Sequence, residues 1–248
     1  RTSRKMVLTE AGQRFHVRAR SLVAQFDDIA SGLQREDDGL QGHLRVKAPT
    51  SVTVSFLADI LSEFQTHQPG ITLEMVLADR SVNPLEEGFD VAVAGRDASY
   101  DAVVDIPLCP LRQVVCASPA YLRRHGVPEH PRDLVDHHCL VFTPTGTIWH
   151  FDSPRGPVSV DVTAKLGAND NTMLLAGVRA GNGIAILPTY LARNAIEFGL
   201  VTPLLTDYPL RERWLKAMVP QRRMGVQRVE ALLAWLKQHL GEVPPWDR

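Results

Sequence analysis

The chain has 248 residues, 44% hydrophobic and 22% charged, with a formal net charge of −1. That balance suits one large or two small globular domains, and it excludes collagen-like, low-complexity and disordered chains. Charge is uneven: residues 1–20 carry Arg1, Arg4, Lys5, Arg14, Arg18 and Arg20 against Glu10, a local +5 that leaves the remainder at −6. A basic end on an acidic body suits a polyanion partner near the N-terminus, and a solvated helix face is the commoner origin of such a cluster.

Residues 1–8 (RTSRKMVL) are short, basic and β-permissive. Thr9 suits a helix N-cap. After it, Phe15, Ala19, Leu22, Phe26, Ile29 and Leu33 are spaced 4, 3, 4, 3, 4. This is a heptad seam, which keeps one apolar stripe toward a partner helix. The spacing alone equally allows a helix packed on its own core. Residues 34–42 (QREDDGLQG), acidic with two glycines, form the connector.

Leu44–Ala48 alternates as a strand, and Val52–His67 reads as a helix with Phe56, Leu57, Ile60, Leu61 and Phe64 on one face. Pro69-Gly70 turns the chain into a strand at Ile71–Ala78. A short helix at Pro84–Gly88 and a strand at Asp90–Ala94 follow. Such alternation predicts a parallel sheet with right-handed crossovers. A β-rich run from Leu111 stops at Ser118-Pro119, where proline suits a helix's first turn, and Gly126 ends that helix. Strands are predicted at 140–142, 148–151, 158–162 and 184–187, and a helix at 171–180. Pro188 opens another helix, 214–219 forms a return strand, and Val226, Val229, Leu232, Leu233, Leu236 and Leu240 line a terminal helix.

No catalytic set emerges. Gly181-Asn-Gly183 lacks the third glycine of a dinucleotide fingerprint and leads into a strand, so it reads as a helix cap. Ser118 has no G-x-S-x-G elbow around it and reads as a helix start. His125, His130, His137, His138 and Cys139 cluster without a zinc spacing, so no metal and no cofactor is expected. Cys109, Cys116 and Cys139 are odd in number and lack CxxC spacing, which suits reduced, buried thiols in a cytoplasmic protein. No apolar run reaches transmembrane length, and the basic start is unlike a signal peptide.

Two stretches carry a family resemblance. V-C-A-S-P-A-Y-L-x-x-x-G-x-P, at 115–128, is similar to the effector domain of LysR-type transcriptional regulators. R-T-x-R-x-x-x-L-T-E-A-G, at 1–12, resembles the end of that family's winged helix-turn-helix and the start of its linker helix. The resemblance implies an α/β, two-lobed, periplasmic-binding-protein-like effector domain with two crossing strands, preceded by a long linker helix. Residues 1–9 would be the wing, 10–38 the dimerisation helix, 42–114 with 219–248 the first lobe, and 115–218 the second. The recognition helix would lie upstream of Arg1, and a chain that opens on Arg and not on Met is expected to be a fragment. Arg1, Arg4 and Lys5 would then lie near promoter DNA, and Phe15, Ala19, Leu22, Phe26 and Ile29 would face a second subunit of a homodimer or homotetramer.

Helix starts make anion sites, because free N–H groups and the dipole converge there, although simple N-capping explains each alone. Thr50, Ser51 and Val52 form one such start, and Asn169, Asp170, Asn171 and Thr172 another, where Asp170 opposes a highly anionic ligand unless it points away or caps its helix. The resemblance puts both on the cleft between lobes, where a small effector, a carboxylate or an aromatic, would bind. Arg80, Ser81, Phe142 and Thr143 follow strands and join the candidates. The runs Asp79-Arg-Ser-Val-Asn83 and Ala92-Val-Ala-Gly95-Arg96 depart from one branch's D-R-x-V-D and A-V-R-I-G, so that branch's effector does not transfer. Peroxide-sensing members join two second-lobe cysteines, whereas here only Cys139 is expected well inside that lobe, with Cys116 on the crossing strand. The alternative, a periplasmic-type solute-binding protein, shares the architecture but gives no reason for the basic start and heptad helix.

Overall fold

The computed structural model describes residues 9, 11, 12, 15, 19, 23, 40–95 and 98–247. Arg1, Arg4, Lys5, Leu22, Phe26, Ile29 and Arg96 lie outside them. Thr9 Oγ1 accepts a hydrogen bond from the Gly12 amide at 3.1 Å, as an N-cap should. Residues 11, 12, 15, 19 and 23 are helical. Phe15 is 73% exposed, so no core among the described residues covers it.

The first lobe is a five-stranded sheet. Its strands are β1 (Gly42–Ala48), β2 (Ile71–Leu77), β3 (Val91–Ala94), β4 (Val103–Pro110) and β12 (Trp214–Pro220), in the order β2-β1-β3-β12-β4. The first three run parallel, and β12 is antiparallel to both neighbours. Helix α1 joins β1 to β2. It comprises a turn at Thr50–Val52, a π-helical segment at Thr53–Leu57 and a regular part at Ala58–His67. A short helix α2 (Pro84–Glu87) precedes β3.

Helix α1 buries Leu57, Ile60, Leu61 and Phe64 against Val229, Leu232, Leu233, Leu236 and Leu240 of the terminal helix, Gln227–Leu240. Each fully buried side chain of this kind contributes about 1.5–3 kcal/mol. The terminal helix thus returns to the first lobe. Asp90 and Arg223 form an ion pair there at 2.8 Å, each side chain 7% exposed, and Asp90 also accepts the Arg45 amide.

The second lobe holds β5 (Gln113–Ala117), β6 (Cys139–Phe142), β9 (Ala164–Ala168), β10 (Ile184–Pro188) and β11 (Thr202–Leu204), in the order β11-β5-β10-β6-β9. One face packs under α3 (Pro119–His125) and the hairpin of β7 (Ile148–Phe151) and β8 (Val158–Asp161). The other packs under α4 (Asn171–Arg179) and α5 (Thr189–Glu197). The terminal helix is accordingly α6.

Local signals account for the ends of these elements. Ser118 Oγ accepts the Tyr121 amide at the start of α3. Gly181, at φ 77°, ends α4: its amide bonds Val178 and the Asn182 amide bonds Gly177, the paired bonds of a Schellman motif. Gly183 must be small, because a Cβ there would lie 2.3 Å from the His138 carbonyl oxygen. Pro188 ends β10 and caps α5 from outside, so that helix opens at Thr189.

Two corrections concern the crossings. The outgoing passage is β4, a link at Leu111-Arg112, then β5, so the second lobe's sheet begins at Gln113 and not at 115. The return strand β12 pairs with β3 and β4 along Trp214–Pro220, so the first lobe resumes at Trp214 and not at 219. The two passages touch, the Leu111 amide donating to the Arg213 carbonyl at 2.7 Å.

Strands β4, β9 and β11 are absent from the sequence-based expectation, and each is an edge of its sheet. Edge strands tolerate proline and need no second buried face. Pro107 and Pro110 in β4 and Pro203 in β11 disguise them, as do Lys165 and Gly167 in the largely exposed β9.

Candidate functional site

The sheets' carboxyl edges face each other across the inter-lobe cleft. Strand β1 ends at Ala48, and Pro49 then turns the chain into α1; β10 ends at Pro188 and leads into α5. Ligands in α/β folds collect at such edges. A cavity of about 60 Å³ lies there, lined from the first lobe by Lys47, Ser51, Val52, Asp79, Arg80, Ser81 and Met218, and from the second by Phe142, Asn171, Pro188 and Tyr190.

Six of the nine candidates meet here: Ser51, Val52, Arg80, Ser81, Phe142 and Asn171. Three do not. Thr50 has its amide taken by Asp79 Oδ1 at 3.2 Å and does not line the cavity. Thr143 starts an exposed 3₁₀ turn at Thr143–Thr145, beyond the strand that aims Phe142. Asn169 is exposed and lies before the true N-cap, Asp170, whose carboxylate accepts the Thr172 and Met173 amides. The start of α4 is therefore already satisfied by its own acid, and Asn171 alone represents that cluster at the cavity.

The first-lobe helix start is different. Ser51 and Val52 are buried in the first turn, where helix geometry supplies their amides with no acceptor. The Ser51 hydroxyl is 2.8 Å from the Tyr190 hydroxyl, so a hydrogen bond joins the lobes at the cavity wall. Burial pushes the Tyr190 phenol up to about 12, against a smaller opposing effect of the Ser51 bond, so it stays protonated. Its ring lies edge-on to Phe56 and to Trp246, at centroid distances of 6.0 and 5.7 Å. Behind it, Thr189 Oγ1 donates to Asp247 Oδ1 at 3.0 Å and Arg193 to the Trp246 carbonyl at 2.9 Å.

Charge at the site comes from unequal sources. Arg80 forms a two-pronged pair with Glu87, at 2.6 and 2.5 Å, and that bond is the chief reason its pKa is raised. Lys47 is only 3% exposed, with Nζ 3.5 Å from the Val93 carbonyl. Burying an ammonium is costly unless its contacts compensate, and Lys47 holds its charge at the cleft wall among such contacts, the Val93 carbonyl included. Sequence reasoning missed it, although a lysine between Val46 and Ala48, in a strand buried along its end, was a usable signal. Tyr190 gave no such signal, since only the packing of α5 on α1 brings it to Ser51.

The remaining motifs hold structure. His130 caps the turn Pro131–Asp136, with Asp133 reaching back to its amide. The Tyr121 hydroxyl contacts His137 Nδ1 at 3.1 Å and accepts the His138 amide at 2.9 Å. All three thiols are buried and free, and burial pushes each up to about 12. Cys116 and Cys139 lie on β5 and β6, both inside the second lobe's sheet, with β10 between them. They belong to cores on opposite faces of that sheet. Cys116 thus lies on the strand by which the chain enters the second lobe, and the geometry keeps the pair from bonding.

Comparison with known proteins gives one answer throughout. Residues 37–241 match the model of the LysR substrate binding domain. An uncharacterized HTH-type transcriptional regulator of Escherichia coli K12, YhjC, is 32% identical over 240 residues, covering 95% of this chain and 80% of that one. PtxR, an HTH-type transcriptional regulator of Pseudomonas aeruginosa, is 28% identical, covering 98% and 79%. Among solved structures, the regulatory domain of CrgA, a LysR-type transcriptional regulator from Neisseria meningitidis, superposes with a TM-score of 0.71 at 26% identity, covering 82% of this chain and all of that one. A family model matching most of the chain, joined to this two-lobed fold, places the chain in the LysR family of transcriptional regulators, of which it carries the effector-binding domain.

Proposed function

We propose that the inter-lobe cavity is the effector site of this regulator and that its ligand is a small carboxylate. The supporting observation is convergence: Ser51 from one lobe and Asn171 from the other line one cavity that also takes in Lys47. The ammonium and the first-turn amides of α1 attract an anion, and the Asn171 amide group completes the grip from the other side. Size narrows the class. For scale, an enclosed apolar cavity of about 150 Å³ binds benzene; at about 60 Å³ this cavity suits an acid of a few heavy atoms.

A ligand here acts by favouring one arrangement of the lobes over another. It contends for the Ser51 hydroxyl, which in its absence holds Tyr190. The linker helix then carries the change to a homodimer or homotetramer in the cytoplasm and to promoter DNA, with Arg1, Arg4 and Lys5 near its phosphates. The bareness of Phe15 supports the inter-subunit seam over a helix packed on its own core. No catalytic role is assigned to any residue.

The test is calorimetry with acetate, lactate, malonate and succinate. Ser51→Ala and Asn171→Ala should each cost about 1.5–3 kcal/mol, about tenfold or more in affinity, with the fold retained and at most a small loss of stability from the Ser51 change. Equal affinity in both variants would move the effector elsewhere.

A further inference from the structure

A second cavity, of about 190 Å³, lies in the second lobe beside the cleft. It sits at the cleft edge of the sheet, next to the β7–β8 hairpin. Phe142, Trp149, Ile186 and Leu210 give it apolar walls, and His150 and Arg211 stand among its polar ones. No carboxylate is among the described residues that line it. Phe142 and Arg213 also line the effector cavity, so the two spaces share two residues.

We propose that this cavity is a second ligand site, selective for a ring-sized carboxylate, and that it acts on the hinge between lobes. Volume carries the first half. The space exceeds the roughly 150 Å³ that holds a benzene ring, whereas the cleft cavity does not reach it. Lining chemistry carries the second: the largely polar wall, with the Arg211 guanidinium at its edge, takes a carboxylate in two-pronged fashion, and the smaller apolar patch of Phe142, Trp149, Ile186 and Leu210 takes the face of a ring. Arg211 is exposed and does not line the cleft cavity, so it belongs to this site alone. His150 Nδ1 is held by Ser159 Oγ at 2.8 Å, which fixes its ring at the rim.

The link to the hinge is covalent. Leu210 and Arg211 belong to the return passage between β11 and β12. Leu210 bridges to Phe151, and the Arg213 carbonyl accepts the Leu111 amide of the outgoing passage. A ring wedged against Leu210 therefore presses on the segment that sets one lobe against the other. The site does not depend on the cleft reading, because Trp149, His150, Ile186, Leu210 and Arg211 line this cavity and not the cleft cavity.

The experiment is a fluorine NMR titration of 4-fluorophenylacetate into the full chain. Saturable binding is expected, weakened about tenfold or more by Arg211→Glu. That change reverses the charge of an exposed side chain, so a preserved melting curve is expected beside it, and Arg211→Ala should weaken binding in the same direction. Ser51→Ala reports on the cleft only and should leave this binding intact. Binding that both Arg211 variants leave unchanged would place the ligand elsewhere and overturn the proposal. Absence of saturation up to about 10 mM, well above the millimolar range that marginal ligands reach, would overturn it as well.

Discussion

The Ser51–Tyr190 hydrogen bond invites a direct measurement, because two single-atom deletions isolate it. Tyr190→Phe removes the phenol oxygen and leaves the ring packed on Phe56 and Trp246. Ser51 is 5% exposed, so its hydroxyl has almost no water to turn to, and it loses a partner held at 2.8 Å. An unsatisfied buried hydroxyl costs about 1–3 kcal/mol. Ser51→Ala strands the half-buried tyrosine hydroxyl instead, and should cost about 1 kcal/mol. The double variant strands neither. It should be more stable than the summed singles predict by about 1 kcal/mol, roughly fivefold in the unfolding equilibrium. Urea denaturation of all four proteins, followed by tryptophan fluorescence, measures this, since Trp246 lies against the Tyr190 ring. Additivity within about 0.3 kcal/mol would show that the hydroxyls do not interact, and would remove the inter-lobe link from the effector mechanism.

Other consequences are equally open to measurement. Asp90→Ala leaves the buried Arg223 guanidinium without its carboxylate and should lower stability by about 3–5 kcal/mol; a loss below about 1 kcal/mol would mean that the charge escapes to solvent. The thiols of Cys109, Cys116 and Cys139, all buried and pushed up to about 12, should resist a disulfide reagent in the native chain and react together in denaturant. Rapid labelling of any of them at pH 7.5 would contradict that burial. Burial, aided by repulsion from His125, holds His137 below its usual range. The unfolded chain therefore binds a proton that the folded chain refuses. The contribution is complete above about pH 6.5 and is lost as pH falls below it. His137→Gln should flatten the decline in melting temperature between about pH 7 and 5, and an unaltered slope would clear His137 of any part in it.

Much of the fold was legible in the chain itself. Period-two runs at Leu44–Ala48 and Ile71–Leu77, and the 3.6-residue pattern from Val229 to Leu240, reflect burial of one face, a constraint local enough to leave its period in the sequence. The stops were legible for the same reason: Ser118-Pro119 and Gly181 answer the backbone's own demands. The edge strands were not. β4, β9 and β11 are held by hydrogen bonds from a single neighbour, and such bonds demand little of side chains. The site divided along the same line. Ser51 could be found because a helix start after a strand is a local feature. Asn169 and Asn171 looked equivalent until Asp170 was seen to take up the amides of α4. Lys47 and Tyr190 became functional candidates only through tertiary contact. The lobes meet where α5 lies against α1, with 139 residues separating the two bonded hydroxyls. A pair so distant is set by how two sheets and their helices pack, and that packing has no period for a sequence to display.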